Sequence, residues 1–168
     1  MLRRIGTWID HNLWVLPFLF FLIAEIALVA LHYSDSGPLL LAKVKAENRK
    51  EIYSSLTGSS SGLLGFALAA VAIMAAFGRR SVNEPGEIQR ENNLATARVG
   101  ISKVLLATSV FLVAILVTAT LAIGTDDKRE GSFILTSIIT SSAVASLLGL
   151  LVSCAGLTLS LTERSREA

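Results

Sequence analysis

The chain has 168 residues, of which 52% are hydrophobic and 17% are charged, and its formal net charge is +2. This composition is too apolar for an ordinary soluble domain and too poor in charge for a disordered chain. There is no dense basic cluster to neutralise phosphates, so nucleic-acid binding is not expected, and the single cysteine excludes an intrachain disulfide.

Four continuous apolar runs predict membrane-spanning helices. They cover residues 13–31, 62–78, 104–124 and 133–161. About 20 apolar residues cross the hydrocarbon as a helix, and continuous rather than alternating runs exclude barrel strands. The second run is short, so we expect its helix to begin near Ile52 and its span to cover 55–78. The sequence therefore predicts a single all-α domain, an integral membrane four-helix bundle.

The three connections between these runs differ in kind. Residues 32–51 hold a turn at Pro38 and then apolar and basic residues, which predicts an outer connection with a short helix lying on the membrane. Residues 79–103 are compatible with a helix that extends the third span outward. Residues 125–132 form a tight polar turn, so we expect spans three and four to be antiparallel neighbours.

Basic residues in the short connections predict the orientation of the chain. One side carries nine of them and the other carries six, which favours both termini in the cytoplasm and a cytoplasmic 79–103 connection. The nine are Arg3, Arg4, Arg79, Arg80, Arg90, Arg98, Lys103, Arg164 and Arg166, and the six are Lys43, Lys45, Arg49, Lys50, Lys128 and Arg129.

Glu25 is the one charged residue in the first apolar run. A carboxylate inside the bilayer is costly unless it is paired, protonated or reached by water. The residue predicts either a proton-coupling or cation-binding site, or a carboxyl group that hydrogen-bonds to Ser or Thr of another helix.

Small residues recur every three or four positions on the second predicted helix, and they fall on one helical face. We call this the small-residue face, and it consists of Gly58, Gly62, Gly65, Ala69, Ala72 and Ala76. Small faces let helix backbones approach closely in lipid. The pattern predicts either packing among the four helices or contact between protomers.

Hydroxyl side chains run along nearly the whole fourth predicted helix. They belong to Thr136, Thr140, Ser142, Ser146, Ser153 and Ser160, with Gly149 and Gly156 among them. The first half of the second helix adds Ser54, Ser55, Thr57, Ser59, Ser60 and Ser61. Hydroxyls that bond across helices or to their own carbonyls favour packing. Alternatively, they line water in an oligomeric channel, which requires several copies because a bundle of four helices encloses no pore.

No pattern typical of an enzyme is present: there is no phosphate-binding loop, no GxSxG, no HExxH and no pair of catalytic carboxylates. His11 and His32 flank the first run without the spacing of metal ligands. We therefore predict no catalytic site, no metal site and no cofactor. The predicted partners are the lipid bilayer, further copies of the chain and a protein on the cytoplasmic side.

The stretch 49–78 resembles small uncharacterised bacterial four-helix membrane proteins. The resemblance rests on Arg49, Tyr53, Leu56 and the letters GLLGF before an alanine-rich span. Some proteins of that build accompany anti-phage or abortive-infection systems. The resemblance implies an oligomeric membrane effector or sensor in a bacterial inner membrane, and it transfers no catalytic residue.

A second resemblance concerns the letters LIAEIALVALHYSDSG around Glu25. They are similar to the first helix of the small multidrug resistance exporters, which are four-helix proteins that exchange protons for cationic drugs on a glutamate of that helix. The loops of this chain are much longer, and runs two to four contain no Trp or Tyr to line a drug chamber. Only the role of Glu25 is implied by this resemblance.

Three functional hypotheses follow. The first is a non-enzymatic oligomeric membrane protein that forms a pore or perturbs the bilayer. The second is an accessory or sensor subunit that docks a partner through Arg79, Arg80, Arg90 and Arg98 of the 79–103 connection. The third is a proton-coupled transporter of small solutes that uses Glu25.

Overall fold

A computed structural model of the protein describes residues 12–33, 44–76, 85–125 and 131–165. The 3-10 turn Leu13–Val15 is followed by α1 (Leu16–Tyr33), α2 (Ala46–Ala76), α3 (Pro85–Thr125) and α4 (Phe133–Ser165), and the described ranges contain no strand. All four helices are long and apolar enough to cross a membrane. The prediction of an all-α four-helix membrane bundle is confirmed.

Two helices extend well beyond their apolar runs. The first, α3, begins at Pro85, as proline is favoured at the first helical position, and it continues without a break to Thr125. The predicted outward extension of the third span is therefore present. The second, α2, begins at Ala46, six residues before the expected start at Ile52. Residues 46–51 are good helix formers with Glu47 in the first turn, so they continue into α2 instead of forming a separate surface helix.

Consecutive helices run antiparallel. Tyr53 of α2 clusters with Ala119 and Ala122 of α3, whereas Ser102, near the other end of that span, bonds to Met74. Helices α3 and α4 are likewise antiparallel neighbours, as the sequence predicted. The fourth helix also packs along α1, so α3 and α4 form the centre of the bundle.

The second helix lies at the edge of the bundle and packs chiefly against α3. Its buried residues are Arg49, Tyr53, Ser60 and Ala67, which recur at steps of four and seven. This spacing is that of a single seam along a helix. Most of the rest of the α2 surface is exposed, so α2 buries only one narrow face within the chain.

The distribution of side chains is the reverse of that in a soluble protein. Many of the buried residues are small or carry hydroxyls, such as Ala119, Ser141 and Ala145. The outer surface carries large apolar side chains, including Phe66 with 68% and Leu151 with 63% of its surface exposed. Contiguous apolar surface of this kind is unfavourable in water, while small interior residues are typical of helices that pack in lipid. The fold therefore fits the bilayer as its solvent.

Of the described glycines, Gly149 of α4 has the closest neighbours on other helices. A Cβ atom built there would overlap with Oγ1 of Thr108 on α3 and would lie 3.2 Å from the Cβ of Thr108 and 3.3 Å from Cγ of Pro17 on α1. Thr108 and Pro17 are themselves buried, so neither can move aside into open space. Three helices meet at this point because residue 149 has no side chain.

Candidate functional site

The Glu25 carboxylate of α1 is bound by two serine hydroxyls of α4. Oγ of Ser137 donates a hydrogen bond to Oε1 of Glu25 at 2.9 Å, and Oγ of Ser141 donates one to Oε2 at 2.5 Å. The two serines are one helical turn apart and thus project from the same face. Both are almost completely buried, whereas Glu25 is half-buried.

This arrangement contains the contact expected under the second alternative for Glu25, in which its carboxyl group hydrogen-bonds to Ser or Thr of another helix. Glu25 lies eight residues before the end of α1, roughly 12 Å along the helix axis, and thus well inside the apolar stretch. Ser137 and Ser141 were not among the predicted site residues. They lie about 100° from the predicted hydroxyl stripe, on the side of α4 that packs against α1.

All six residues of the small-residue face are exposed. A Cβ atom built on Gly58, Gly62 or Gly65 would meet no atom within 4 Å. At 100° per residue, the centre of this face lies about 180° from the seam that α2 forms with α3. The small-residue face therefore takes no part in packing within the described chain.

The hydroxyl stripe of α4 lies mostly inside the chain. Thr136, Ser142, Ser146 and Ser153 are buried, Thr140 is half-buried, and the side chain of Ser160 lies outside the described part. The hydroxyls bond mainly to backbone carbonyls one turn earlier on their own helix: Thr136 to Ser132, Thr140 to Thr136, Ser146 to Ser142 and Ser153 to Gly149. Oγ of Ser142 is buried and has no hydrogen-bond partner among the described residues.

The residues predicted to dock a partner are largely beyond what the structure covers. Arg79 and Arg80 lie outside the described residues, and Arg90 belongs to α3 at a position where the side chain is not described. Arg98 is half-buried on α3. Docking through the 79–103 connection stays a prediction.

One charged side chain has an unexpected position. The sequence predicted Arg49 in a surface connection, but it is completely buried at the first turns of α2, next to the equally buried Tyr53. Its guanidinium donates a hydrogen bond to the carbonyl of Val44 at 2.5 Å. Burial of an arginine requires such partners, so Arg49 anchors the start of α2.

No group of three or more His, Cys, Asp and Glu residues within the described ranges is close enough to hold a metal ion. Of the two histidines, His32 is exposed at the end of α1 and stacks on Phe133 of α4, while His11 lies outside the described residues. Cys154 is a free, exposed cysteine on α4.

Comparisons with protein-family models, with curated proteins and with solved structures find no match for this chain. Both resemblances noted from the sequence, to defence-associated membrane proteins and to small multidrug exporters, accordingly stay hypotheses. The candidate function rests on the geometry of the chain itself.

Proposed function

We propose that this chain is a non-enzymatic integral membrane protein whose copies assemble through the small-residue face of α2 and thereby open or weaken the bilayer. The observation that carries the proposal is the position of that face. It is exposed, no described atom lies within 4 Å of a Cβ built on its glycines, and it points away from the seam with α3.

A second copy of the chain is a better partner for this face than lipid. Helices in a bilayer associate through close van der Waals packing and through interhelical hydrogen bonds, and small residues at steps of four permit both. In a symmetric assembly the same surface of each copy meets its counterpart. A flat row of Gly and Ala is complementary to itself, which supports self-association.

Exposed hydroxyls on α2 support the membrane-active part of the proposal. Ser54 and Ser61 flank the small-residue face on one side, and Ser55 and Ser59 flank it on the other. When several copies meet at this face, these hydroxyls come to lie near the common axis. Polar groups there lower the barrier for water and small solutes without selecting for charge.

The hydroxyls of α4 are a poorer lining for such a path. Ser142, Ser146 and Ser153 are buried between helices of one chain, and the last two already bond to their own backbone. We therefore assign the lining of a polar path to α2 and assign the α4 stripe to packing.

Leakage of a trapped dye from liposomes tests this function. Purified wild-type protein should release the dye, with a rate that rises more steeply than the protein-to-lipid ratio because several copies act together. The double variant Gly62→Leu/Ala69→Leu should leave the vesicles tight, since leucine side chains would keep neighbouring α2 helices apart.

A control is Ala27→Leu, which makes the same substitution as at residue 69 but at an exposed position of α1. It should leak like the wild type. Vesicles that stay tight at high wild-type load, or equal leakage from the double variant, would contradict the proposal.

A further inference from the structure

Among the residues that the structure describes, the Glu25 cluster contains no positive charge. Of the side chains that the structure describes, no basic one forms an ion pair with Glu25, and its hydrogen-bond partners are the hydroxyls of Ser137 and Ser141. Hydroxyls stabilise a carboxylate but do not neutralise it. Since an unneutralised charge inside the hydrocarbon is costly, a bound cation would complete the cluster.

The oxygen atoms of the cluster are of the kinds that bind a small monovalent metal ion. Two carboxylate oxygens and two hydroxyl oxygens converge from α1 and α4. Oγ of Ser137 also lies 3.2 Å from the carbonyl oxygen of Ile134, so its hydrogen can turn to the backbone and leave its lone pairs for a cation. Hard cations prefer carboxylate, hydroxyl and carbonyl oxygen. A divalent ion would leave a net positive charge in the membrane, whereas a monovalent ion leaves none.

We propose that Glu25, Ser137 and Ser141 form an intramembrane binding site for one Na⁺ ion. With one Na⁺ bound to the carboxylate, the cluster carries no net charge. The sequence offered cation binding as one alternative for Glu25 but could not supply the other ligands, because Ser137 and Ser141 are more than a hundred positions away and meet it only in the folded bundle. The site does not involve the small-residue face, so the proposed Na⁺ site and the proposed function can be tested separately.

Thermal unfolding of the full chain in detergent tests the site. A ligand that binds only the folded state stabilises it, so NaCl should raise the Tm of the wild type above its value in choline chloride of equal concentration. Glu25→Gln should abolish this difference, and Ser141→Ala should reduce it. Ser146→Ala is the matched control, because that buried hydroxyl bonds only to its own helix, and the variant should keep the full difference.

Labelling with dicyclohexylcarbodiimide gives a second measurement on the same protein. This lipid-soluble reagent adds to a protonated carboxyl group and not to a carboxylate that holds a metal ion. NaCl should therefore slow the labelling of Glu25 relative to choline chloride. Equal Tm values together with equal labelling rates in the two salts would overturn the proposal, as would an undiminished Na⁺ effect in Glu25→Gln.

Discussion

Gly149→Ala should be about 2 kcal/mol less stable than Gly62→Ala when both are unfolded with sodium dodecyl sulfate in mixed micelles. Both substitutions bring the same gain in helix propensity, so the comparison isolates packing. At residue 149 the new methyl group would overlap with Thr108 and press against Pro17. At residue 62 it would meet no atom within 4 Å.

Two further variants define the cause of this loss. Gly156→Ala should be mild, because the atoms that its methyl group would meet belong to the flexible side chain of Ile101, at 3.2 and 3.4 Å. Adding Thr108→Ala to Gly149→Ala should recover part of the lost stability, since it removes the overlapping hydroxyl. Equal stability of the variants at 149 and 62 would show that the three helices do not meet at Gly149 as described.

The double variant Ser137→Ala/Ser141→Ala should lose about 2 kcal/mol of unfolding free energy, because it leaves the Glu25 carboxylate without its hydrogen-bond donors inside the bundle. The serine hydroxyls themselves contribute less than this, as interhelical hydrogen bonds in membranes are individually weak. The main cost is the unsatisfied carboxylate. The same unfolding titration measures it.

Replacing the carboxylate should remove most of this loss of stability. In a Glu25→Leu background the two serine substitutions should cost little, because no buried acid is left without partners. Ser146→Ala removes a buried hydroxyl that is bonded only to the carbonyl of Ser142. It should lose much less unfolding free energy than the double variant. If the serine substitutions were equally costly with and without Glu25, the contact would have no energetic importance.

The fold could be predicted from sequence because lipid imposes one simple demand on the chain. Continuous apolar runs have to be helices there, since every backbone group needs an internal partner. Helix ends are different, as hydropathy marks only the part of a helix inside the hydrocarbon. This is why the polar first turns of α2, from Ala46, were missed while the apolar part was found.

The sites were only partly predictable. Glu25 stood out as a lone charge in an apolar run, and the small-residue face followed from its periodicity. Their partners did not, because the pairing of Glu25 with Ser137 and Ser141 depends on how α1 and α4 are rotated against each other. With hydroxyls around much of α4, sequence alone could not tell which of them face α1.

The burial of Arg49 was unpredictable for a related reason. Basic residues near a predicted span usually lie at the membrane surface, and the sequence offers nothing to distinguish this one from Lys45 or Lys50. Arg49 and Tyr53 share one face of α2 because they are one turn apart, and that face is turned toward α3. The rotation of α2 about its axis, which packing determines, decides which basic residue is buried.

Disulfide cross-linking in membranes tests the assembly of copies through α2 most directly. In a Cys154→Ser background, which removes the only cysteine of the chain, Ala69→Cys places a thiol on the small-residue face. Leu106→Cys places a thiol at an exposed position of α3. The contact between Met74 and Ser102 sets the register of α2 against α3, so residue 106 lies at a depth in the membrane similar to that of residue 69. A disulfide requires Cβ atoms within about 4.5 Å of each other, so mild oxidation reports close approach of two copies. We expect covalent dimers several-fold more abundant from Ala69→Cys than from Leu106→Cys, and persistent when lipid is added in excess. Equal yields from both positions, or no dimer from Ala69→Cys, would contradict assembly through the small-residue face.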